Sequence, residues 1–558
     1  MPKFASPMPS SLALLLLAAL SPLGLGPLRG ALADQPHFGA ADYEAYNSGA
    51  YGDRPNQTYH SSDIRSPAFL INTWKKEAVS PETHIFLSPA VGGQHRSPMV
   101  FSARDLSLVY ADPSWDGGQT ANLQWHDGRA YLTFWSGRDY IGWGSGYGLM
   151  LDDSFRLFAN VTTTDDAFPA TGADSHEFQL THDGGALVNN YYKRPDVDIS
   201  ALGGPADGLL HDSAFQEIDL ATGAARFTWR ASDHFALHES MNGYIFDADG
   251  GGWDWFHQNS LQKTAPGGDY LISARHLSCI ALVSGRDGSR LWQLGGKNNS
   301  FEDLSGGRAT RFGFQHHARF AEDGPRDAAG RWTELTFFAN NAEFAGGAPT
   351  PGCRDDDGGT CSRAVRVALD YDRMTARLVR DWHHPRGVQA WAQGGVHALP
   401  GGGALVAWGT VPSVTEVAAD GDTVLEVQLS PWAAATGGRD GVSLYRAYKL
   451  NFTAHPPWGP SVACVGGSTL YVSWNGATEV AVWSVFGGED TVNLQSKDHV
   501  VPRAGFETAI ELAAEKPLSY RYAQVRALDA EGKALGSTDL VDLRTGNVLT
   551  VKVQLDRQ

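Results

Sequence analysis

A chain of 558 residues with a formal charge of -18 at pH 7 is too long for one simple hydrophobic core and too acidic for a nucleic-acid partner. Binding to phosphates requires a basic face, which this composition does not provide. The 64 glycines and the 42% of hydrophobic residues are typical of a globular, turn-rich protein of two or three domains.

The first predicted element is a secretory signal peptide over residues 1–33. Lys3 precedes an apolar run from Leu12 to Leu20, and the small residues Ala31 to Ala33 form a cleavage site before Asp34. This run is shorter than the roughly 20 residues that a membrane span needs. We therefore expect a secreted, extracellular protein without a membrane span.

Four histidines each begin a similar segment, in which a Gly-containing turn and a short apolar strand follow: His176, His257, His316 and His397. Helical periodicity is almost absent, so we predict an all-β chain. In a repeat architecture, equivalent positions converge on one axis. Any one of these histidines taken alone is better explained as a turn or core residue, but four at matched positions indicate a shared site.

A second pattern consists of two strands joined by a polar turn, with the second strand ending at Trp229, Trp292 or Trp382. Each such hairpin, combined with a histidine-led segment, makes a four-stranded sheet of the kind that packs radially around a channel. Residues 100–455 are therefore predicted to form a β-propeller. Six to eight blades fit this length, and six are favoured because several loops are long.

The flanking segments differ in character from this repeat. Residues 34–99 are predicted to pack on the propeller, either covering one face or supplying its closing strand. After the linker at residues 455–460, short alternating strands predict that residues 456–558 form a β-sandwich of the immunoglobulin or fibronectin type III kind. We interpret this sandwich as a structural or adhesive appendage.

The cysteines and the glycosylation triplets agree with export. Cys353 and Cys361 bracket a polar loop and predict a local disulfide, whereas Cys279 and Cys464 lie in different predicted domains. A bond between the latter two is open, and buried free thiols are the simpler reading. Four Asn-x-Ser/Thr triplets predict a glycoprotein if the chain passes through a eukaryotic secretory pathway: Asn56, Asn160, Asn298 and Asn451.

Five segments carry a family resemblance: DSHEF at 174–178, DWFHQNS at 254–260, LISARH at 271–276, LWQLGGK at 291–297 and FQHHARF at 314–320. They resemble the arylsulfotransferase family, specifically its secreted fungal-type branch. The resemblance runs from about residue 42 through the C-terminal sandwich. The His-x-Asn pattern of His257 and Asn259, followed by Arg275, is similar in spacing to that of the bacterial members.

The resemblance implies a six-bladed propeller that moves a sulfuryl group from an aryl sulfate to a phenolic acceptor through a sulfated histidine, without the nucleotide donor PAPS. It implies a pocket formed by His176, His257, Asn259, Arg275 and His316, with His316 as the nucleophile. Both partners are then small aromatic molecules, and we expect neither a cofactor nor a metal. His397 has no assigned role in this pattern.

The chemistry of these residue types agrees with this implication. A neutral imidazole is a competent nucleophile near pH 7, and the planar donors of Arg275 suit sulfuryl oxygens. His257 or His176 would act as the general acid for the departing phenolate, and Asn259 would donate to the same oxygens. His276 and His317 alternate in direction with their neighbours, so we expect them to face the sheet packing.

Two other functions are weighed against this one. The first is a non-catalytic extracellular propeller that binds a glycan or a protein, with its histidines kept as structure. The second, a quinone-dependent dehydrogenase, is disfavoured because such a site needs a cluster of calcium-binding carboxylates. The run from Asp355 to Asp357 does not have the spacing of a calcium loop and is interpreted as a solvated turn.

Overall fold

The computed structural model describes residues 34–550, apart from 92–95, 116, 141, 165, 169–170, 245–250, 266, 342–352, 354–360, 435–441 and 513–519. The predicted signal peptide lies outside the described residues. The described part of the chain is all-β, as predicted, with one five-residue α-helix and short 3-10 turns. No helix in this part has the length and apolar character needed to cross a bilayer.

The first elements lie before the first complete sheet. They are helix α1 (Tyr43–Asn47) and strands β1 (Asn56–Gln57), β2 (Ser66–Pro67), β3 (Leu70–Trp74), β4 (His84–Leu87), β5 (Met99–Ser102) and β6 (Leu108–Ala111). Strands β1 and β2 pair with each other, whereas β3 and β4 pair with strands from much later in the chain.

Four antiparallel sheets then follow in chain order. Sheet I contains β7 (Gln119–His126), β8 (Arg129–Asp139), β9 (Gly144–Leu151) and β10 (Leu157–Val161). Sheet II contains β11 (Phe178–Leu180), β12 (Gly185–Val197), β13 (Gly208–Asp219) and β14 (Ala225–Arg230), with β15 (Trp253–Asp254) parallel to β13. Sheet III contains β16 (Gln258–Lys263), β17 (Tyr270–Ala274), β18 (Cys279–Val283) and β19 (Arg290–Gly295). Sheet IV contains β21 (His316–Phe320), β22 (Glu334–Ala339), β23 (Arg363–Asp370) and β24 (Thr375–His383), with the two-residue β20 (Glu302–Asp303) parallel to β24.

Two further sheets join both ends of this region. Sheet V contains β25 (Gly395–Ala398), β26 (Ala404–Ala407), β27 (Ser413–Val417) and β28 (Thr423–Gln428), and β3 pairs with β28. Sheet VI contains β29 (Tyr448–Leu450), which pairs with β4, followed by β5 and β6. Part of the segment 34–99 therefore supplies strands to these two sheets.

The C-terminal strands form two sheets on one core. The smaller sheet contains β30 (Ser461–Val465), β31 (Thr469–Ser473) and β34 (Glu507–Glu511). The larger contains β32 (Val482–Gly488), β33 (Gln495–Pro502), β35 (Tyr522–Leu528), β36 (Ala534–Ser537), β37 (Leu540–Asp542) and β38 (Asn547–Leu549). Leu470 and Val472 of the smaller sheet belong to the same core as Trp483 and Val525 of the larger one.

The predicted hairpins are confirmed in three sheets. Trp229, Trp292 and Trp382 lie on β14, β19 and β24, the last strands of sheets II, III and IV. The same three sheets begin with the strands that follow or contain His176, His257 and His316. Adjacent sheets share apolar cores. One such core contains Phe215 and Trp229 of sheet II together with Ile272 of sheet III.

The first strands of all six sheets line one cavity of about 770 Å³. Side-chain bonds to backbone atoms connect one first strand to the next. The Gln124 side chain on β7 donates to Phe178 O on β11 at 3.0 Å, and Gln262 on β16 accepts from Phe320 N on β21 at 2.7 Å. Val396 N on β25 donates to His317 on β21 at 3.1 Å. These bonds join β7 to β11, and join β21 to both β16 and β25.

The predicted disulfide between Cys353 and Cys361 is present, with a Cα–Cα distance of 5.7 Å. Cys279 and Cys464 are free, and Cys279 is buried. Asn160, Asn298 and Asn451 of the four triplets are exposed.

Candidate active site

Three of the predicted histidines lie where the first strands of sheets II, III and IV begin. His176 precedes β11 by two residues, His257 immediately precedes β16, and His316 is the first residue of β21. His257 has a φ of 57°, a left-handed conformation that is uncommon for a residue with a side chain. Such conformations persist only where the surrounding structure enforces them, and they cluster at functional sites.

Ring contacts bring these side chains into one cluster. The ring centroids of His176 and His257 are 4.9 Å apart. Tyr445 lies between the two ends of the cluster, with its ring 5.7 Å from that of His176 and 6.2 Å from that of His316. All three histidines are buried. The structure thus places His176, His257 and His316 around one point, as the repeat pattern predicted.

Two of the three histidines are paired with carboxylates. Nδ1 of His176 lies 2.5 Å from Asp174 Oδ1, and Nδ1 of His257 lies 2.5 Å from Asp254 Oδ2. Such a carboxylate orients the ring, leaves Nε2 toward the site, and stabilises the imidazolium when the ring takes a proton. Burial, together with the nearby His176 and Arg275, holds the pKa of His257 well below its ordinary value, so this ring is neutral at rest.

His316 has a different environment, because its Nδ1 faces an amide. Asn340 Oδ1 lies 2.7 Å from Nδ1, and Phe314 O lies 3.1 Å from it. The peptide N–H of Gln393 donates to Nε2 at 3.2 Å. Since an N–H can only donate, Nε2 carries the lone pair and Nδ1 carries the proton. Burial and the charge of Arg275 hold the pKa of His316 well below 6.5, so the ring is neutral with its lone pair at Nε2.

Hydrogen bonds anchor Arg275 beside this ring. Nη1 contacts Nε2 of His276 at 2.7 Å, and Nη2 donates to Trp391 O at 3.0 Å. Its guanidinium also lies 4.8 Å from the centre of the Phe314 ring. Burial lowers the pKa of Arg275 to about 10, which leaves the group charged at neutral pH. The segment from Trp391 to Gln393 therefore contacts both Arg275 and His316.

The expectation for His276 was wrong. Its ring does not face the sheet packing but lies 4.6 Å from the ring of His257, with Nε2 toward Arg275. The 3-10 turn that follows β17 turns this side chain inward, so strand alternation does not apply there. His276 Nδ1 donates to Asp254 O at 2.7 Å, which fixes the ring that receives Arg275.

Asn259 has a different set of contacts from the predicted one. Its side-chain Nδ2 donates to Gln315 O at 2.7 Å. Its backbone carbonyl accepts from Tyr445 Oη at 3.1 Å and from the Arg446 guanidinium at 3.0 Å. Asn259 is fully buried between sheets III and IV. The bond to Gln315 O joins the start of β16, next to His257, to the residue before His316.

His397 lies away from the cluster. It is the third residue of β25, lines the 770 Å³ cavity and contacts Lys449 O at 3.1 Å. The matched position predicted for it is therefore wrong, since Gln393, four residues earlier, contacts His316. His317 lines the same cavity and bonds to the backbone of Val396.

A buried ion network stands beside the cluster. Glu177, one residue after His176, accepts from Arg446 at 2.8 Å and also from Arg319. Arg446 further donates to His176 O at 2.9 Å. Burial opposes ionisation of Glu177, but Arg319 and Arg446 lower the pKa of Glu177, so the group is charged. Arg446 thus ties the histidine-bearing ends of sheets II and III to the residues before β29.

Among the described residues, potential metal-ligand atoms of Asp254, His257 and His276 lie within 4.8 Å of one another. Because Arg275 only donates, Nε2 of His276 accepts, and its Nδ1 then bears the proton held by Asp254 O. A metal ion at Nδ1 would have to displace this proton beside a positive guanidinium. The donor set therefore fits a hydrogen-bonded relay better than a cation site.

Sequence comparison identifies the group to which the chain is related. The model of the family described as arylsulfotransferase (ASST) matches residues 122–430, which is more than half of the chain and contains every residue of the cluster except Tyr445. The chain belongs to the arylsulfotransferase family. No curated protein matches this chain.

Solved structures resemble this arylsulfotransferase-family chain only distantly. They include a protein of unknown function from Bacteroides caccae, with 13% identity, coverage of 66% of this chain and 98% of that chain, and a TM-score of 0.37. The β-propeller domain of Cps50 (Swd1) from Myceliophteria thermophila has 10% identity, coverage of 72% and 95%, and a TM-score of 0.31. Dihydro-heme d1 dehydrogenase NirN has 11% identity, coverage of 68% and 77%, and a TM-score of 0.30. Similarities of this size carry no argument about function.

Several site residues of this family member were missed by sequence reasoning. Asp174 and Asp254 precede His176 and His257 by two and three residues, a local signal that the sequence does display. Asn340 and Gln393 gave no such signal, because they lie 24 and 77 residues from His316. They reach it only because β21 pairs with β22 and the segment before β25 packs against both strands. Tyr445 likewise comes from a segment far along the chain.

Proposed function

We propose that this protein is an aryl-sulfate sulfotransferase that transfers a sulfuryl group from an aryl sulfate to a phenol through a sulfohistidine at His316. The observation that carries this proposal is the neutral His316 ring, with its proton held at Nδ1 by Asn340 and its lone pair at Nε2. The buried guanidinium of Arg275 is held on the same segment that contacts Nε2, which supports its assignment to the sulfuryl oxygens.

The first half-reaction begins when the Nε2 lone pair of His316 attacks sulfur. The N–S bond forms while the S–O bond to the aryl group breaks, and the phenolate leaves with the electron pair. Arg275 stabilises the equatorial oxygens, which retain negative charge throughout the transfer. Asn340 stabilises the resulting imidazolium, because Nδ1–H remains bonded to its amide oxygen.

A histidine whose ring is paired with a carboxylate transfers the proton to and from the phenol oxygen. A phenolate is a poor leaving group at neutral pH because the pKa of a phenol is about 10. His176, in the imidazolium form that Asp174 stabilises, protonates the departing oxygen, whereas the neutral His257 has no proton on Nε2 to donate. In the second half-reaction the same imidazole takes the proton of the acceptor phenol as its oxygen attacks sulfur and the N–S bond breaks.

We further propose that sheets I to VI are the blades of a six-bladed propeller. The six first strands on one cavity support this arrangement, and so does sheet VI, where β29 from late in the chain pairs with β4 from its beginning. The two C-terminal sheets on one core support the immunoglobulin-like sandwich. Membership of the secreted fungal-type branch, the signal peptide over 1–33, and glycosylation stay proposals from the sequence.

Steady-state kinetics test the proposed function. Initial rates measured over a grid of aryl sulfate and phenol concentrations should give the parallel double-reciprocal lines of a ping-pong mechanism. His316→Ala should abolish turnover, whereas His397→Ala, a histidine substitution outside the cluster, should retain it. The proposal is wrong if His316→Ala transfers sulfate as fast as the wild type, or if no aryl sulfate is a donor.

A further inference from the structure

The peptide N–H of Gln393 is hydrogen-bonded to Nε2 of His316, the atom that attacks sulfur in the proposed reaction. In the resting protein it donates to Nε2 of His316 at 3.2 Å. This bond consumes the lone pair that attacks sulfur. Once the N–S bond has formed, Nε2 has no lone pair left, and the N–H needs a new acceptor.

The acceptors that then stand next to Nε2 are the oxygens of the sulfuryl group itself. We propose that the peptide N–H of Gln393 passes from Nε2 of His316 to a sulfuryl oxygen during transfer and is an oxyanion donor of the reaction. This inference rests on the proposed function and adds a donor that no side chain supplies. Because this N–H lies 3.2 Å from Nε2, sulfur can bond to Nε2 only when the peptide is displaced sideways, which brings the N–H next to a sulfuryl oxygen.

Bonds from Asn340 restrain the backbone around Gln393 without fixing the acceptor of its N–H. Asn340 Nδ2 donates to Gln393 O at 3.0 Å and to Ala390 O at 2.9 Å, and these two bonds also set the orientation of the amide that holds Nδ1 of His316. Gln393 has a φ of 62°, a conformation that residues other than glycine rarely adopt. Asn340 is fully buried.

Close packing restrains the two residues that follow. A Cβ atom at Gly394 would lie 2.5 Å from the Phe338 ring, and one at Gly395 would lie 2.8 Å from Nδ1 of His317. The segment is therefore pressed against β21 and β22, and its N–H direction does not depend on a mobile side chain. We infer that Asn340 is the positioning residue for both the nucleophile and this donor.

Replacement of the Gln393 peptide N–H by an ester oxygen tests the proposal. The α-hydroxy analogue of glutamine, inserted at position 393, leaves the side chain in place and removes the donor alone. The single-turnover rate of phenol release should fall by roughly 10² to 10³, which is the effect of losing one oxyanion donor. If the N–H were only a resting partner of Nε2, its removal would free the lone pair and the rate would stay the same or rise.

The chain offers a matched control for this ester. Val396 N donates to Nδ1 of His317 at 3.1 Å, so an ester at position 396 removes a peptide N–H to a neighbouring histidine outside the cluster. We expect its rate to stay within about twofold of the wild type. Equal losses at positions 393 and 396 would mean that the effect is structural and would overturn the proposal.

Labelled wild-type protein gives a second test that needs no substitution. Ala-Gln pairs occur at 392–393 and 523–524, so carbonyl-¹³C alanine combined with ¹⁵N glutamine isolates the amides of Gln393 and Gln524. After sulfation by an aryl sulfate without acceptor, the Gln393 resonance should move and keep its protection from hydrogen exchange. Gln524, on β35, should not move. Loss of protection at Gln393 would show an N–H without an acceptor and would contradict the proposal.

The two failures are distinguishable. If the proposed function is wrong, no adduct forms on the wild-type protein, and the Gln393 resonance does not change with any aryl sulfate. If only the donor role is wrong, the adduct forms, but the ester at position 393 reacts as fast as the wild type.

Discussion

Substitution of Asn340 by Asp should raise the pKa of His316 and thereby move the pH dependence of sulfation. In the wild type, burial and Arg275 hold this pKa well below 6.5, so the nucleophile is neutral throughout the neutral range. The substitution places a carboxylate oxygen where the amide oxygen lies 2.7 Å from Nδ1. At an effective dielectric constant of about 20, the attraction for the protonated ring is roughly 3–4 kcal/mol, or 2–3 pKa units.

The sign of the effect follows from the role of the lone pair. Protonation at Nε2 removes the nucleophile, so sulfation slows as the pH falls through the pKa of His316. The wild-type rate of phenol release in a single turnover should therefore not fall as the pH is lowered from 8 to 6.5. In Asn340→Asp the midpoint of the acid limb should move up by about 2–3 units. The rate is followed by rapid quench into base, which makes the released phenol visible at every pH.

Asn341 provides the control for this experiment. It is adjacent in sequence, but its side chain contacts Gly313 N and Cys361 O rather than His316. Asn341→Asp should leave the midpoint in place. A wild-type acid limb with its midpoint at 6.5 or above, or the same midpoint in Asn340→Asp and the wild type, would refute the assignment of the neutral His316 ring.

Three further outcomes are expected. Glu177→Gln should lower the free energy of unfolding by about 3–5 kcal/mol, because it leaves the buried guanidinium of Arg446 and the partly buried one of Arg319 without their carboxylate. The exposed Glu322→Gln should change it little; urea titration measures both, and equal losses would contradict this. Burial lowers the pKa of His384 to about 3, so the unfolded chain binds more protons below pH 6.5 and this residue alone should cost roughly 2–3 kcal/mol of stability between pH 7 and 4.5; His384→Gln should flatten that pH dependence, and an unchanged slope would count against it. Arg275→Lys keeps a charge but loses the planar fork, so kcat should fall by at least tenfold with a smaller change in KM, and a pure KM effect would oppose a transition-state role.

The hairpins of sheets II, III and IV could be predicted because their signals are local. A polar turn between two apolar runs is visible within about 15 residues, and Trp229, Trp292 and Trp382 mark the outer hairpins that the structure contains. The pairing of β29 with β4 joins residues more than 350 apart. No local pattern specifies such a pairing, so the sequence left open whether the N-terminal segment covers a face or joins a sheet.

The site was predictable to the extent that it follows strand starts. His176, His257 and His316 stand at such starts, and the structure brings them together. His276 was assigned by strand alternation and misplaced, because a 3-10 turn begins at Arg275 and breaks the period of two. His397 was matched by its distance from a Gly-containing turn, yet it lies inside β25 rather than before it.

The hydrogen-bond partners of His316 could not be predicted at all. Asn340 and Gln393 contact His316 through a carbonyl oxygen and a peptide N–H. Every residue except proline has a backbone N–H, so the sequence does not reveal which one contacts His316. A buried asparagine such as Asn340 also looks the same in the sequence whether its side chain bonds to a histidine or stabilises a loop. Only the relative placement of three strands reveals which atoms meet at the imidazole.

The measurement that tests the central claim most directly is the location of the covalent intermediate. Purified protein incubated with an aryl sulfate and no acceptor should gain the mass of one SO3 group, with one equivalent of phenol released. Peptide mapping should place this group on His316, and a phenol added afterwards should remove it with formation of the new aryl sulfate. Transfer by a protein that never carries the group, or an adduct on a residue other than His316, would contradict the account.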